Sequence, residues 1–281
     1  MAEAATGQLI EWLGSAEGGA EELGGKAASL DRLARMGFRI PPGFCLTTAA
    51  FERQLAHVNG GAASPDSLAD RVAATALEPE LEGALATAVE RLSADAGDAR
   101  FAVRSSALGE DSSAASYAGL HETELGVEPA AVDGAVRRCW ASLWSPQALA
   151  YRQFRGISMD GAAMAVVVQR LVPADAAAVA FTRHPVTGRE DQLVITAVQG
   201  LGDAMVSGTV TPDTYVIDKA SLGVIEFTPG DADRALDDDT LRELAALCLR
   251  VEAGFGQAVD IEAAIAAGTW YLLQARPITT R

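Results

Sequence analysis

Hydrophobic positions along this chain of 281 residues follow two rhythms. In the first half they recur at helical spacing. Residues 23–37 place Ala27, Leu30, Leu33 and Ala34 on one side, and Gly37 fits a C-terminal stop. Residues 68–92 read as helix with a break near Pro79. Residues 130–154 form an amphipathic stretch that gathers Val132, Val136, Trp140, Leu143 and Trp144. Pro41-Pro42-Gly43-Phe44 is a rigid turn, and 101–104 is a short strand that runs into a loop of Ser, Ala and Gly ending at Gly119.

The second half changes period. Residues 164–171, 177–182, 193–197, 214–217 and 223–227 all read as strands. Residues 240–254 read as a helix whose N-terminus is marked by Asp237, Asp238 and Asp239. Residues 258–265 and 269–274 pair as a hairpin around Ala266-Ala267-Gly268, which sets Asp260 opposite Gln274 and Glu262 opposite Leu272. The expectation is an α+β protein of two lobes. The helix-rich N-terminal lobe covers 1–162 and the strand-rich C-terminal lobe 163–281, with the boundary within 156–163.

Composition narrows the partners. Hydrophobic residues make up 49% of the chain, enough for a real core. The net charge of −16 gives no general footprint for nucleic acid or anionic membrane, so any bound phosphate needs a local site. Of the 22 basic residues only Lys26 and Lys219 are lysines. Cys45, Cys139 and Cys248 are widely spaced and odd in number, which reads as core thiols of a reducing compartment. His57, His121 and His184 have no partners at metal spacing. The first residues carry no secretion signal, and the most apolar stretch, 161–182, is interrupted by Gln169, Arg170, Pro173 and Asp175. A cytoplasmic protein is expected.

Three places could carry chemistry. Gly24-Gly25-Lys26 opens a helix, where close backbone approach, amide groups and a movable charge suit an anion, although a surface lysine has the same signature. Arg104 ends a strand before Ser105 and Ser106, which suits either a phosphate clamp under a flexible loop or an ordinary ion pair. On the hairpin, Glu262, Gln274 and Arg276 share a face. Carboxylate and amide oxygens suit magnesium and the arginine suits phosphate, while a polar solvent face reads the same way.

These segments, taken in order, resemble one family. Gly24-Gly25-Lys26-Ala27-Ala28-Ser29-Leu30, Pro41-Pro42-Gly43-Phe44 and Val103-Arg104-Ser105-Ser106 resemble the start of the nucleotide-binding domain of phosphoenolpyruvate synthase and pyruvate phosphate dikinase. Phe181-Thr182, His184-Pro185-Val186-Thr187-Gly188, Gly200-Leu201-Gly202, Thr211-Pro212-Asp213, Asp260-Ile261-Glu262 and 273–279 continue the match. The Pro-Val-Thr-Gly stretch and Trp140-Ala141-Ser142-Leu143 also resemble rifampin phosphotransferase.

The resemblance implies an ATP-grasp fold whose two lobes close over ATP and magnesium. It implies that Lys26 and Arg104 hold phosphates and that Gln169 meets the adenine. It further implies that Glu262 and Gln274 coordinate magnesium and that Arg276 reaches the phosphates to be transferred. Departures are Asp203 for glutamate, Ala263 for tryptophan, Leu120 for glutamine and Ala178 for glycine. Relatives pass a phosphoryl group from ATP through a histidine on a swivelling domain to an acceptor, leaving AMP. No Thr-Cys-His swivelling motif is present, so a phosphohistidine domain and an acceptor domain are expected in trans or on further sequence. The expected activity is therefore that of an ATP-binding component of a dikinase-type phosphotransferase. The alternatives are a self-contained ATP-grasp kinase or ligase acting on a small molecule and a non-catalytic ATP sensor.

Overall fold

The computed structural model of the protein describes residues 8–58, 65–94, 99–108, 123–155, 162–206 and 208–278. The chain folds as two compact units. The first holds Met1–Asp31 and Pro42–Leu171, the second Arg32–Pro41 and Val172–Arg281. The fold is α+β, and each unit has its own sheet and core.

In the first unit the strands are β1 (Ile10–Trp12), β2 (Gly43–Leu46), β3 (Phe101–Ala107), β4 (Thr123–Val127) and β5 (Met164–Arg170). They form a five-stranded antiparallel sheet in the order β1-β2-β5-β3-β4. The helices are α1 (Ala20–Arg35, of which 32–35 belong to the second unit), α2 (Thr48–His57), α3 (Pro65–Ala74), α4 (Pro79–Ser93), α5 (Val132–Ala141) and α6 (Pro146–Arg155). Side chains alternate across a strand, and one face of this sheet is apolar. Phe44, Leu46, Phe101, Val103, Met164, Val166 and Val168 pack there with Phe51, Leu81, Leu85 and Trp140 from the helices. Trp140 Nε1 donates to the Met164 carbonyl at 3.0 Å, which satisfies its one polar atom in the core. The amphipathic stretch 130–154 is not one helix. The chain turns at Ser145, whose hydroxyl accepts from Ala148 N at 3.2 Å, and Pro146 starts α6 where its missing N–H costs nothing.

In the second unit, β6 (Ala176–Phe181), β7 (Gln192–Gln199), β8 (Asp213–Asp218), β9 (Val224–Thr228), β10 (Val259–Ala266) and β11 (Thr269–Pro277) form an antiparallel sheet in the order β11-β10-β6-β7-β8-β9. A short helix α7 (Asp203–Val206) and the long α8 (Asp238–Phe255) complete the unit. The core packs Leu241, Leu244, Ala245, Cys248 and Val251 of α8 with Leu193, Ile195, Tyr215, Ile217, Ile261 and Leu272. Ala176, Ala178 and Ala180 keep that face of β6 low. Asp237 caps α8 by accepting from Thr240 N at 2.7 Å, as its sequence position predicts, and Gly256 ends it with φ 71°.

Two boundaries differ from the sequence reading. Cutting the chain at 162/163 leaves β5 with the second half, but β5 pairs with both β2 and β3 and is the middle strand of the first sheet. Conversely 32–41 belongs to the second unit, where Leu33 and Phe38 enter the core. Residues 109–122 lie outside the described residues, and with them the expected loop, Leu120 and His121.

Asp213 is buried and locks the segment after β9. It accepts from Gly230 N and Ala235 N at 2.8 Å each and from the Tyr215 hydroxyl at 3.0 Å. Burial pushes its carboxyl up, but the two amides, the Tyr215 hydroxyl and the Arg234 charge outweigh that and hold it below the usual 3.8. A depressed carboxyl contributes stability that is present above its unfolded value and lost as pH falls through the folded one. Asp213→Ala, which strands these donors, is expected to cost about 2–4 kcal/mol in urea unfolding at pH 7. Asp213→Asn should flatten the loss of stability below pH 4 relative to wild type. Equal acid limbs would show that Asp213 is not responsible.

Candidate functional site

The six residues singled out from the sequence fall three to each unit. Lys26, Arg104 and Gln169 belong to the first, and Glu262, Gln274 and Arg276 to the second.

In the first unit, the strand residues sit on the sheet face turned away from the apolar core. β3 alternates, so Val103 and Ala107 point into the core while Ala102, Arg104 and Ser106 point the other way. The two serines of the Val-Arg-Ser-Ser segment are therefore not equivalent. Ser105 lies on the core side, where its hydroxyl is buried with no hydrogen-bond partner among the described residues. Ser106 meets α1. The helix breaks at Gly24, whose φ of 71° and ψ of 173° are not helical. A Cβ there would stand 2.0 Å from the Ser106 carbonyl oxygen, so only glycine allows this approach. Ser106 Oγ donates to the Leu23 carbonyl at 2.8 Å and accepts from Ala27 N at 3.1 Å. Lys26 thus opens a helical segment anchored on β3, two residues along the strand from Arg104.

Gln169 lies on β5 directly between Gly43 of β2 and Ala102 of β3, and it is 2% exposed. Its neighbours across both strands are small, and the fit against Gly43 is close. A Cβ on Gly43 would approach Gln169 Cγ and the Val168 carbonyl oxygen to 2.6 Å each. The Pro-Pro-Gly turn therefore has a packing reason that a reading of turns alone misses.

In the second unit, β10 and β11 carry the remaining set. Val259, Ile261, Ala263, Leu272 and Ala275 face the core, which leaves Asp260, Glu262, Gln274 and Arg276 on the opposite face. The register differs from the predicted one. Ala266 pairs with Thr269 across a turn of Ala267 (φ 47°) and Gly268 (φ 70°), and an irregularity follows between Glu262 and Ala263. Glu262 therefore stands opposite Gln274, and Asp260 opposite Arg276, rather than Glu262 opposite Leu272 and Asp260 opposite Gln274. Direct opposition brings a half-buried carboxylate beside a buried amide, a pair of hard oxygen donors suited to magnesium. Arg276 bonds through Nε and Nη2 to Asp260 Oδ2, both at 2.8 Å. Burial raises the Asp260 carboxyl, while the Arg276 charge pulls it back.

Other motif residues serve the fold. Thr182 Oγ1 accepts from Val259 N at 2.8 Å, tying the end of β6 to the start of β10. His184 Nδ1 accepts from the amides of Val186 and Thr187 at 3.2 Å each, closing its own loop. Cys45, Cys139 and Cys248 are free and buried, and burial pushes the Cys248 thiol up to about 12. Among the described residues no helix is long and apolar enough to cross a membrane.

The family described as pyruvate phosphate dikinase, AMP/ATP-binding domain matches residues 20–235 and 226–281. A probable phosphoenolpyruvate synthase of Methanothermobacter thermautotrophicus is 34% identical over 300 aligned positions, covering 92% of this chain and 44% of that protein. The prodigiosin synthesizing transferase PigC of Serratia marcescens is 37% identical, covering 92% and 32%. A rifampicin phosphotransferase of Streptomyces sviceus is 36% identical, covering 92% and 34%. The chain thus spans less than half the length of each of these relatives.

The fit of Gln169 against β2 can be tested by a matched pair of glycine substitutions. Gly43→Ala is expected to destabilise by about 1–3 kcal/mol, because the methyl meets strand backbone as well as a side chain. Gly83→Ala, in α4 with nothing within 4 Å of the added Cβ, is expected to stabilise by about 0.5–1 kcal/mol. Equal shifts in denaturant midpoint would overturn the assigned contact.

Proposed function

The chain belongs to the pyruvate phosphate dikinase AMP/ATP-binding family, and on that premise we propose that it is the ATP-binding component of a dikinase-type phosphotransferase. The fold that this membership implies is the ATP-grasp. Lys26 and Arg104 hold phosphate oxygens, and Gln169 meets the adenine. Glu262 and Gln274 hold magnesium, and Arg276 faces the phosphates to be transferred. The observation that carries the reading is the hairpin register. It sets Glu262 directly opposite Gln274 and holds Arg276 beside them through Asp260.

The chemistry asked of these residues is modest. Phosphoryl transfer needs alignment and neutralised charge more than covalent help. Lys26 supplies a compact charge beside the amides of a helix start. Arg276, with its guanidinium plane set by Asp260, offers directed donors rather than a mobile charge. Glu262 and Gln274 would hold the magnesium, which when bound would supply positive charge to offset that of the phosphates.

The relatives carry more than twice the sequence matched here, which supports a histidine-bearing domain and an acceptor domain as partners. The acceptor is then pyruvate or an antibiotic-like small molecule, the two chemistries named by phosphoenolpyruvate synthase and rifampicin phosphotransferase. Three free, buried thiols suit the reducing cytoplasm.

Incubating the chain with ATP and magnesium and separating AMP from ADP tests the reading. Binding without steady turnover is expected. Continuous release of AMP or ADP would mean that the chain has an acceptor of its own, and the component reading would fall. Glu262→Ala should weaken magnesium-dependent ATP binding at least about tenfold while leaving the melting temperature within a few degrees. Unchanged binding would remove Glu262 from the metal.

A further inference from the structure

The break in α1 is bridged in a specific way. In a continuous helix the amide of Ala27 pairs with the carbonyl of Leu23, four residues back. Gly24 lies inside that rung and is not helical. The Ser106 hydroxyl takes the rung instead, donating to Leu23 O at 2.8 Å and accepting from Ala27 N at 3.1 Å. A side chain inserted into a helical ladder is a recognised cause of a sharp kink. Here the side chain comes from a strand 79 residues away in sequence.

The insertion gives α1 a second N-terminus at its fifth residue. Counted from the break, Gly24 stands at the cap position, and Gly25, Lys26 and Ala27 are the first three helical residues. A cap residue ordinarily offers a side-chain oxygen to the third amide, and glycine has none. Ser106 Oγ supplies that oxygen in place of Gly24. The peptide between Lys26 and Ala27 is therefore fixed through its N–H by Ser106, and the direction in which the Lys26 side chain leaves the helix follows from it. The carbonyl of the same serine seats Gly24, and Arg104 lies two residues away on the same strand face. One buried residue thus registers the Gly-Gly-Lys turn against the strand that carries the arginine. Ser105, one position earlier, does none of this.

We infer that Ser106 is a positioning residue for ATP binding, acting on the phosphates through Lys26 by holding open the helix break at Gly24. The inference rests on the reading of Lys26 as a phosphate ligand, and a double-mutant cycle tests the two separately. ATP with magnesium is titrated calorimetrically into the chain and into Ser106→Ala, Lys26→Ala and the double variant, with melting curves for each. Lys26→Ala is expected to weaken binding about tenfold, and Ser106→Ala about 3- to 10-fold. The double variant is expected to bind no more weakly than Lys26→Ala alone, because the effect of the serine passes through the lysine.

If Lys26→Ala binds ATP like wild type, the phosphate role of Lys26 fails and the inference falls with it. If Lys26→Ala weakens binding but Ser106→Ala does not, or if the two losses add in full, the lysine reading stands and Ser106 is merely a core serine. Should Ser106→Ala melt too low to titrate, Ser106→Cys fills the site with a somewhat larger atom of the same connectivity while weakening both hydrogen bonds. The same cycle is then run with it, under the same outcomes.

Discussion

Alternation along a β-strand is the constraint on which both units depend. Neighbouring residues leave a strand on opposite sides, so a sheet with one apolar face can present polar groups only from the positions in between. In β3, Val103 goes to the core and Arg104 does not. In β10 and β11, Ile261 and Ala275 go to the core, while Asp260, Glu262, Gln274 and Arg276 do not. Core residues and the proposed ligand residues are thus interleaved in the same few positions. A slip of one position would send a carboxylate into the apolar face, and the register is held as firmly as the burial is costly to lose.

The hairpin shows how narrow this constraint is. Its two-residue turn sets Ala266 opposite Thr269, and uninterrupted pairing from there would bring Leu273 opposite Glu262. Gln274 would then point toward the core. The single extra residue, Leu273, shifts the phase, so that Leu272 stays in the core with Ala263 while Gln274 joins Glu262. A pairing built on a three-residue turn puts the partners of Asp260 and Glu262 two positions out, yet it keeps those side chains on their correct face because two is the period of the strand. That is why the shared face of Glu262, Gln274 and Arg276 was legible in the sequence while their direct partners were not.

Elsewhere the limits of the sequence have equally physical origins. The strands and the caps of α8 announce themselves through local pattern, and Asp237 is where the pattern puts it. The break at Gly24 does not, because Ala27, Leu30 and Leu33 keep helical spacing across it and its cause is a hydroxyl on a distant strand. The assignment of β5 failed for a related reason. Met164 to Val168 is continuously apolar, as a strand buried on both faces must be, and such a run carries no mark of which sheet it joins. Ser145 and Pro146 did carry a mark, a cap followed by a proline, that amphipathic spacing across 130–154 obscures.

Charge explains why such local arrangements matter in this chain. With a net charge of −16, the protein as a whole repels a polyphosphate, so each cation offered to one must be fixed close to where it acts. Fixing a cation near buried surface requires a partner. In the Arg276–Asp260 pair Nε and Nη2 both bond to Oδ2, which sets the guanidinium plane. Lysine cannot be held in this manner, since its point charge has no plane to fix. Lys26 is instead set through the backbone of the helix that carries it, which is the task the Ser106 hydroxyl performs at the break.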